Sequence, residues 1–385
     1  MALETAQAVR DRSRAWLLSQ GADPDQLKFK LPEKDNRFFL WRMAVLSKES
    51  GAYLGEIAFD RETGEIDLAR TTRIDIMNGR SDLAALNGDT PSAPKEKWKT
   101  AYRVSSLQNT LLLGDCEFSL ETLPEESVDL VFTSPPYYNA RVEYADYLTY
   151  EEYLEKMRRV IRACHRALNE GRYFVMNISP VIIRRLSRSE SSRRLAVPFD
   201  MHALFISEGF DFIDDIIWAK PDGCGWSMKR GLRFKKDRRP LQYKPFPIHE
   251  YLLVYRKKTE KLIDWNLRSY PDQKAIEESK VDGDYETTSI WNLAPSRHKE
   301  HPATFPVALA ERVIRYYSFK TDVVCDPFAG IGTTGIAAQS LQRRFVLCER
   351  EPRYAAHIED SLGAHISESR ICEGFDATMK DKFQV

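Results

Sequence analysis

Residues 128 to 144 read VDLVFTSPPYYNARVEY, an apolar run that stops at Thr133-Ser134 and gives way to two prolines, two tyrosines and an asparagine. Three other apolar runs also end on a residue suited to ligand contact: Asp115 after TLLLG, Asp326 after DVVC and Glu349 after RFVLC. In an open parallel sheet, ligands bind outside the carboxyl ends of the strands, so these four residues would line one crevice. After Asp326 comes PFAGIGTTG, which sets Gly330 and Gly332 between a strand and a helix, where missing side chains let a ligand approach backbone N–H groups. Gly330, Gly332 and Gly335 meet the GxGxxG spacing of a dinucleotide site, which brings a nicotinamide or flavin enzyme into consideration. Against that stand the unexpected Asp-Pro-Phe and the early Glu349, at the end of the next strand. A carboxylate there suits a ribose diol, because it can accept hydrogen bonds from both hydroxyls. Taken singly, Glu349 is a surface carboxylate and Asp115 a turn former; beside the glycine loop both become ligand candidates.

The elements that must position these residues are legible as alternation. From Leu107 onward, short apolar strands (TLLLGD, VDLVFTS, RYFVMNIS, FDFIDDIIWAK, HEYLLVYRK, DVVCDPFA, RFVLCERE) are separated mostly by helical stretches such as EEYLEKMRRVIRACHRAL and TFPVALAERVIRYY. That pattern predicts an α/β domain with a mainly parallel twisted sheet and helices on both faces. Before it, a helix over the first ~25 residues is followed by FFLWRMAVLS and YLGEIAFDRETGEIDLAR, read as strands around turns, the second hinging on Arg61 to Gly64. This is a small α+β unit over 1–88. NGDTPSAPKEKWKT, poor in apolar residues, places a linker at 89–104. The large domain then covers 105–365, with a catalytic half (105–256), a span for target recognition (257–299) and a cofactor half (300–365); 366–385 is a tail.

The 385 residues hold 57 basic and 57 acidic side chains, and a net charge of zero argues against a protein that coats nucleic acid indiscriminately. No stretch approaches the ~20 apolar residues of a membrane span, and the amino terminus lacks the features of a secretory signal, so a cytoplasmic protein that engages no membrane is expected. The six cysteines are scattered without a CxxC pair, which suggests reduced thiols and no metal site.

DPFAGIGTT and TSPPY resemble the cofactor and catalytic motifs of the amino-group DNA methyltransferases that use S-adenosyl-L-methionine, over most of residues 105 to 362. HPATFP and the strand IIWAKP match too, and the order, TSPPY first and glycine loop last, looks like the permuted β-class arrangement. The resemblance implies a circularly permuted Rossmann-like methyltransferase fold. Carried over by position, it implies that Asp326, Phe328, Gly330, Gly332 and Thr333 cradle the methionine part of the cofactor. Glu349 would then hold the ribose, Asp115 the adenine amino group, and His301, Pro302 and Phe305 would wall the methionine end. If TLLLGD is the third strand of the usual sheet, the chain begins there and returns to strands one and two at its end.

An exocyclic amine is a poor nucleophile because its lone pair is delocalised into the ring. Acceptors aimed at both amino hydrogens would pull it towards tetrahedral geometry, and Ser134 Oγ with the Pro135 carbonyl can be those acceptors, on a corner fixed by Pro135-Pro136. The base must leave the duplex first, and Tyr137 offers it a stacking face. Cytosine C5 chemistry would demand a Pro-Cys dipeptide, which is lacking. Serine at the first motif position goes mostly with cytosine N4 in this family; adenine N6 is the alternative. Double-stranded DNA is the expected partner, with a cognate restriction endonuclease and a homodimer as further ones. Lys229, Arg230, Arg233, Lys235, Lys236, Arg238 and Arg239, interleaved with Trp226, Phe234 and Tyr243, suit a segment that grips phosphates. A second basic run spans Arg184 to Arg194. A DNA-binding protein that keeps the fold without turnover would explain both runs equally well.

Overall fold

A computed structural model of the chain describes residues 5–35, 40–78, 102–138, 149–183, 193–221, 240–241, 245, 247–296 and 305–375. The chain divides into two compact units, Met1–Thr100 and Ala101–Val385. In the first, helix α1 (Ala6–Ser19) starts where the Thr5 side chain accepts from the Ala8 N–H at 3.1 Å. It covers an antiparallel sheet of β1 (Leu27–Phe29), β2 (Glu33–Asp35), β3 (Leu40–Ser47) and β4 (Tyr53–Asp60). Val9 and Leu17 of α1 pack with Trp41, Met43, Val45, Ile57 and Phe59 of the strands. Beyond the turn at Arg61, the expected returning strand is reduced to a single bridge between Phe59 and Ile66. Asp60 ties that turn by accepting from the N–H groups of Glu62 and Thr63.

In the second unit the strands are β5 (Thr110–Leu113), β6 (Val128–Thr133), β7 (Leu168–Ile178), β8 (Val181–Ile183), β9 (Arg193–Leu195), β10 (Phe210–Ala219), β11 (His249–Lys257), β12 (Ile290–Asn292), β13 (Val323–Asp326), β14 (Arg344–Glu349) and β15 (Glu368–Ile371). Among the described residues nine of them form one sheet in the order β12-β10-β11-β7-β6-β13-β14-β5-β15, and β8 and β9 pair separately. In the nine-stranded sheet β11 runs antiparallel to both its neighbours and the other pairings are parallel. The late strands β13 and β14 are inserted between β6 and β5, which is the permuted order that the motif sequence implied.

Strand periodicity splits the core into two layers. Leu111 and Leu113, Leu130 and Phe132, and Phe345 and Leu347 face helices α7 (Val307–Tyr317), α8 (Thr333–Ser340) and α9 (Pro352–Leu362). Leu112, Val131, Cys325, Val346 and Cys348 face α3 (Tyr150–Ala167) and α4 (Val197–Ser207). Short helices α2 (Cys116–Ser119), α5 (Ile263–Ser269) and α6 (Gln273–Glu278) complete the unit. Helix α3 opens on a capping box between Thr149 and Glu152, and its buried Tyr153, Met157, Val160, Ile161 and Cys164 recur at helical spacing. Full burial of Met157, Val160 and Ile161 contributes roughly 1.5–3 kcal/mol each. No helix of the described residues is long and apolar enough to cross a membrane.

The expected tail needs correction: residues 368–371 are an edge strand of the sheet, paired in parallel with β5. Glu-Ser-Arg-Ile carries little apolar signal, because backbone hydrogen bonds recruit it and its charges suit an edge. Residues 290–292, within the span assigned to target recognition, likewise add a strand beside β10, with Trp291 buried.

At the amino-terminal ends of the central strands a buried polar cluster joins β6, β7 and β13. Arg172 pairs with Asp322, donates from Nε to the Asp129 carbonyl at 3.0 Å and lies over the Phe319 ring. Asp129 in turn accepts from Asn169 Nδ2 at 2.8 Å and the Val323 N–H at 2.9 Å. Removing one member of a buried ion pair strands the other charge, so Arg172→Met should lower the unfolding free energy by about 3–5 kcal/mol. The check is a lower urea midpoint at unchanged slope.

Candidate active site

At the opposite rim the carboxyl ends of β6, β13, β14 and β5 stand side by side, and a chain of hydrogen bonds links them. Thr133, the last residue of β6, donates from Oγ1 to Asp326 Oδ1 at 2.6 Å. Thr334, in the first turn of α8, donates to Asp326 Oδ2 at 2.5 Å, and the Phe328 N–H donates to Oδ1 at 3.0 Å. Asp326 is 1% exposed. Burial pushes its pKa up to about 6 against these three donors. With both oxygens occupied inside the protein, Asp326 shapes the loop that follows it.

Gly332 caps α8 in a left-handed conformation (φ 84°), which favours glycine. Gly335 has a different purpose: a Cβ there would lie 2.7 Å from Leu347 Cδ1, so its absence lets α8 settle on β14. Glu349, at the end of β14, accepts the Gly330 N–H on Oε2 at 2.7 Å and the Glu351 N–H on Oε1 at 2.8 Å. Burial raises its pKa to about 7, partly offset by those N–H donors. A carboxylate has about four acceptor positions, so beside these N–H donors acceptor capacity remains for a diol hydroxyl.

Asp115 caps α2, accepting the Glu117 N–H at 3.1 Å, and is paired with Lys156 of α3, with Arg350 at 3.9 Å. Burial opposes its charge, but the Lys156 and Glu117 hydrogen bonds prevail and hold its pKa below the usual range. The backbone beyond β15 closes over it, where the Asp115 N–H donates to the Glu373 carbonyl at 2.9 Å. Phe328 is partly buried against the α3 layer. Thr333 is buried in the first turn of α8, and Phe305 is buried with its ring centroid 4.9 Å from that of Phe132.

Beyond Thr133 the chain turns through Ser134, the buried Pro135 and the half-buried Pro136 to Tyr137. Ser134 Oγ accepts from Asn177 Nδ2 at 3.3 Å, and the same amide nitrogen donates to Glu250 Oε2 at 2.9 Å. Tyr137 donates its phenol proton to Glu250 Oε2 at 2.9 Å, and Lys220 pairs with Oε1. Burial and the adjacent Glu250 push the Tyr137 pKa well up. Burial opposes ionisation of Glu250, yet Lys220 and the other donors keep its pKa below the usual range.

Sequence reasoning missed Lys156, Asn177, Lys220 and Glu250. Asn177 and Lys220 sit at or just past the ends of β7 and β10, a signal of the same kind as Ser134. Glu250 opens a strand and reaches the rim only because β11 is reversed. His301 and Pro302 lie outside the described residues, as do Lys229, Arg230, Arg233, Lys235, Lys236, Arg238, Arg239, the three aromatics among them and most of the second basic run. Of that run, Arg193 and Arg194 lie exposed on β9.

Comparison with known proteins places a DNA methylase family model, N6_N4_Mtase, on residues 128–360, more than half of the chain. The type II methyltransferase M.BglII of Bacillus subtilis is 28% identical over 251 residues, covering 64% of this chain and 66% of M.BglII. The type II beta methyltransferase M.BslI of Bacillus sp. strain NEB-606 is 24% identical over 342 residues, covering 86% of this chain and 35% of that protein. The chain therefore spans less than two thirds of the length of these two relatives. Among solved structures, TTHA0409 of Thermus thermophilus superposes with a TM-score of 0.53 at 29% identity, over 68% of this chain and 99% of that one. Its complex with S-adenosyl-L-methionine gives a TM-score of 0.50 at 28% identity, over 70% and 99%.

The support of Asp326 can be tested directly. Thr334→Val keeps the shape and removes one donor, which should cost about 1–3 kcal/mol. Since the folded pKa of Asp326 is already raised, stability falls as pH rises towards it, and losing a donor raises that pKa further. The variant's deficit should therefore be larger at pH 8 than at pH 5 in paired denaturation curves.

Proposed function

The chain belongs to the DNA methylase family of the N6/N4 class, and on that premise we propose that it transfers a methyl group from S-adenosyl-L-methionine to the N4 amine of a cytosine at specific sites in double-stranded DNA. The observation that carries this reading is the 2.6 Å hydrogen bond from Thr133 to Asp326, which seats the Ser134 corner beside the glycine loop, so that methyl acceptor and donor meet on one rim. The likeness to TTHA0409, solved with S-adenosyl-L-methionine, supports the cofactor. That cofactor supplies an electrophilic methyl group on a sulfonium.

The residues of the rim fit it. Glu349 keeps acceptor capacity for the ribose diol, and Asp115, held ionised by Lys156, would accept from the adenine amino group. The backbone of Phe328, Gly330, Gly332 and Thr333, braced by Asp326, forms the wall at the methionine end, which His301 and Pro302 would complete. Ser134 Oγ and the Pro135 carbonyl would accept hydrogen bonds from the two hydrogens of the target amine, and Tyr137 would stack on the extruded base, a contact worth roughly 1–3 kcal/mol. Serine in place of an acidic or amide residue favours cytosine over adenine. The basic segment from Lys229 to Arg239 grips phosphates, so binding should weaken with salt. The likeness to type II methyltransferases supports a restriction-modification role, and a cognate endonuclease and a place in the cytoplasm belong to the same proposal.

Incubation with S-adenosyl-L-methionine and mixed-sequence duplex DNA, followed by nucleoside mass spectrometry, should yield N4-methylcytosine. N6-methyladenine would overturn the target base, and bound cofactor with no product at all would favour a DNA-binding protein without turnover. Tyr137→Ala should retain cofactor binding and lose most turnover; undiminished activity removes the stacking role. Ribose binding requires ionised Glu349, whose pKa stands near 7, so cofactor Kd should fall up to roughly tenfold from pH 6 to pH 8. Calorimetry should show Glu349→Gln to be flat over that range.

A further inference from the structure

Glu250 lies outside the resemblance to known motifs, and three groups converge on it. Lys220 Nζ pairs with one oxygen, while Asn177 Nδ2 and the Tyr137 hydroxyl both reach the other at 2.9 Å. An ionised carboxylate is acceptor-only, so each of these groups must present a hydrogen to it. Tyr137 then has only lone pairs left for its remaining neighbours. The Asn177 amide is likewise locked: turning it over would set its carbonyl oxygen against the carboxylate. Asn177 is 2% exposed and its Oδ1 has no hydrogen-bond partner, so the amide's orientation is dictated by Glu250 and not by its own carbonyl.

The consequence falls on Ser134. Its Oγ receives one hydrogen from Asn177 Nδ2 at 3.3 Å, and the neighbouring Tyr137 phenol, its proton already committed to Glu250, has none to give it. One Ser134 lone pair is left open. We propose that Glu250 is a positioning residue for methyl transfer: through Asn177 and Tyr137 it fixes the donor and acceptor directions of the network so that Ser134 faces the target amine as an acceptor. This rests on the reading of Ser134 given above. A neutral side chain at 250 brings a hydrogen of its own, releases the phenol proton towards Ser134 and consumes that lone pair.

The test compares wild type, Glu250→Gln, Ser134→Ala and the double variant, with tritiated S-adenosyl-L-methionine and mixed-sequence genomic DNA. Glu250→Gln should lower kcat on the order of 10- to 100-fold while the cofactor KM stays within about twofold, a loss expected of misplacement in the reacting geometry. In the Ser134→Ala background the same change should cost nothing further, since both act through one hydroxyl. A difference infrared spectrum of wild type against Glu250→Gln should show the loss of a carboxylate stretch; a carboxylic acid stretch would overturn the proposal without any appeal to activity. An inactive Ser134→Ala beside a Glu250→Gln enzyme of near wild-type kcat refutes the positioning role and leaves the serine reading intact. An active Ser134→Ala refutes both. If Glu250→Gln loses cofactor binding because Lys220 is left unpaired, Tyr137→Phe replaces it: it keeps the Lys220–Glu250 pair and removes one donor, and an unchanged kcat would overturn the proposal.

Discussion

A carboxylate taken out of water without a cation beside it must be satisfied by dipoles, and Asp326 is such a group. None of the ion pairs among the described residues includes it; two threonine hydroxyls and a backbone N–H serve instead. Those donors come from the end of β6, the first turn of α8 and the loop between β13 and α8. One buried anion thereby sets the spacing between the Ser134 corner and the glycine loop. Glu349 repeats the device one strand further on, accepting N–H groups from both sides of the crevice. Asp326 and Glu349 are thus held by hydroxyl and backbone donors, while Asp115 and Glu250 on the same rim are held by Lys156 and Lys220.

The sheet was legible in the sequence because its strands are short apolar runs bounded by turn residues. So were four rim residues, because parallel strands deliver their last residue to the same edge. Legibility ended where position depends on direction or on a distant partner. HEYLLVYRK declared itself a strand, yet nothing local says that it runs backwards and offers Glu250 at its start. Lys156 reads as one more charge on the solvent side of an amphipathic helix, and only the packing of α3 brings it to Asp115. Gly335, counted towards a ligand signature, proved to be a contact between helix and strand. β15 was invisible because it is held by its backbone alone.

Net neutrality hides a strong internal ordering of charge. At one end of the central strands, Arg172, Asp322 and Asp129 form a closed cluster that ties β6, β7 and β13. At the other end the acidic groups are dispersed along the rim, each with its own donors. The first arrangement locks the strands in register, and the second leaves acceptors at defined positions above them.

The place of β5 has a cost in time. It is the first strand of its sheet to be synthesised, and both its neighbours, β14 and β15, come from the far end of the chain, with Leu113 opposite Glu349 on one side and Ile371 on the other. At ordinary rates of translation, roughly 10–50 s pass between the emergence of β5 and that of its outer partner. Through that interval three consecutive leucines that end up buried, Leu111 to Leu113, lie on a strand with two unpaired edges. Permutation of the chain thus exchanges an early, local start to the sheet for a late, non-local closure, and makes the nascent protein dependent on protection until its last strand arrives.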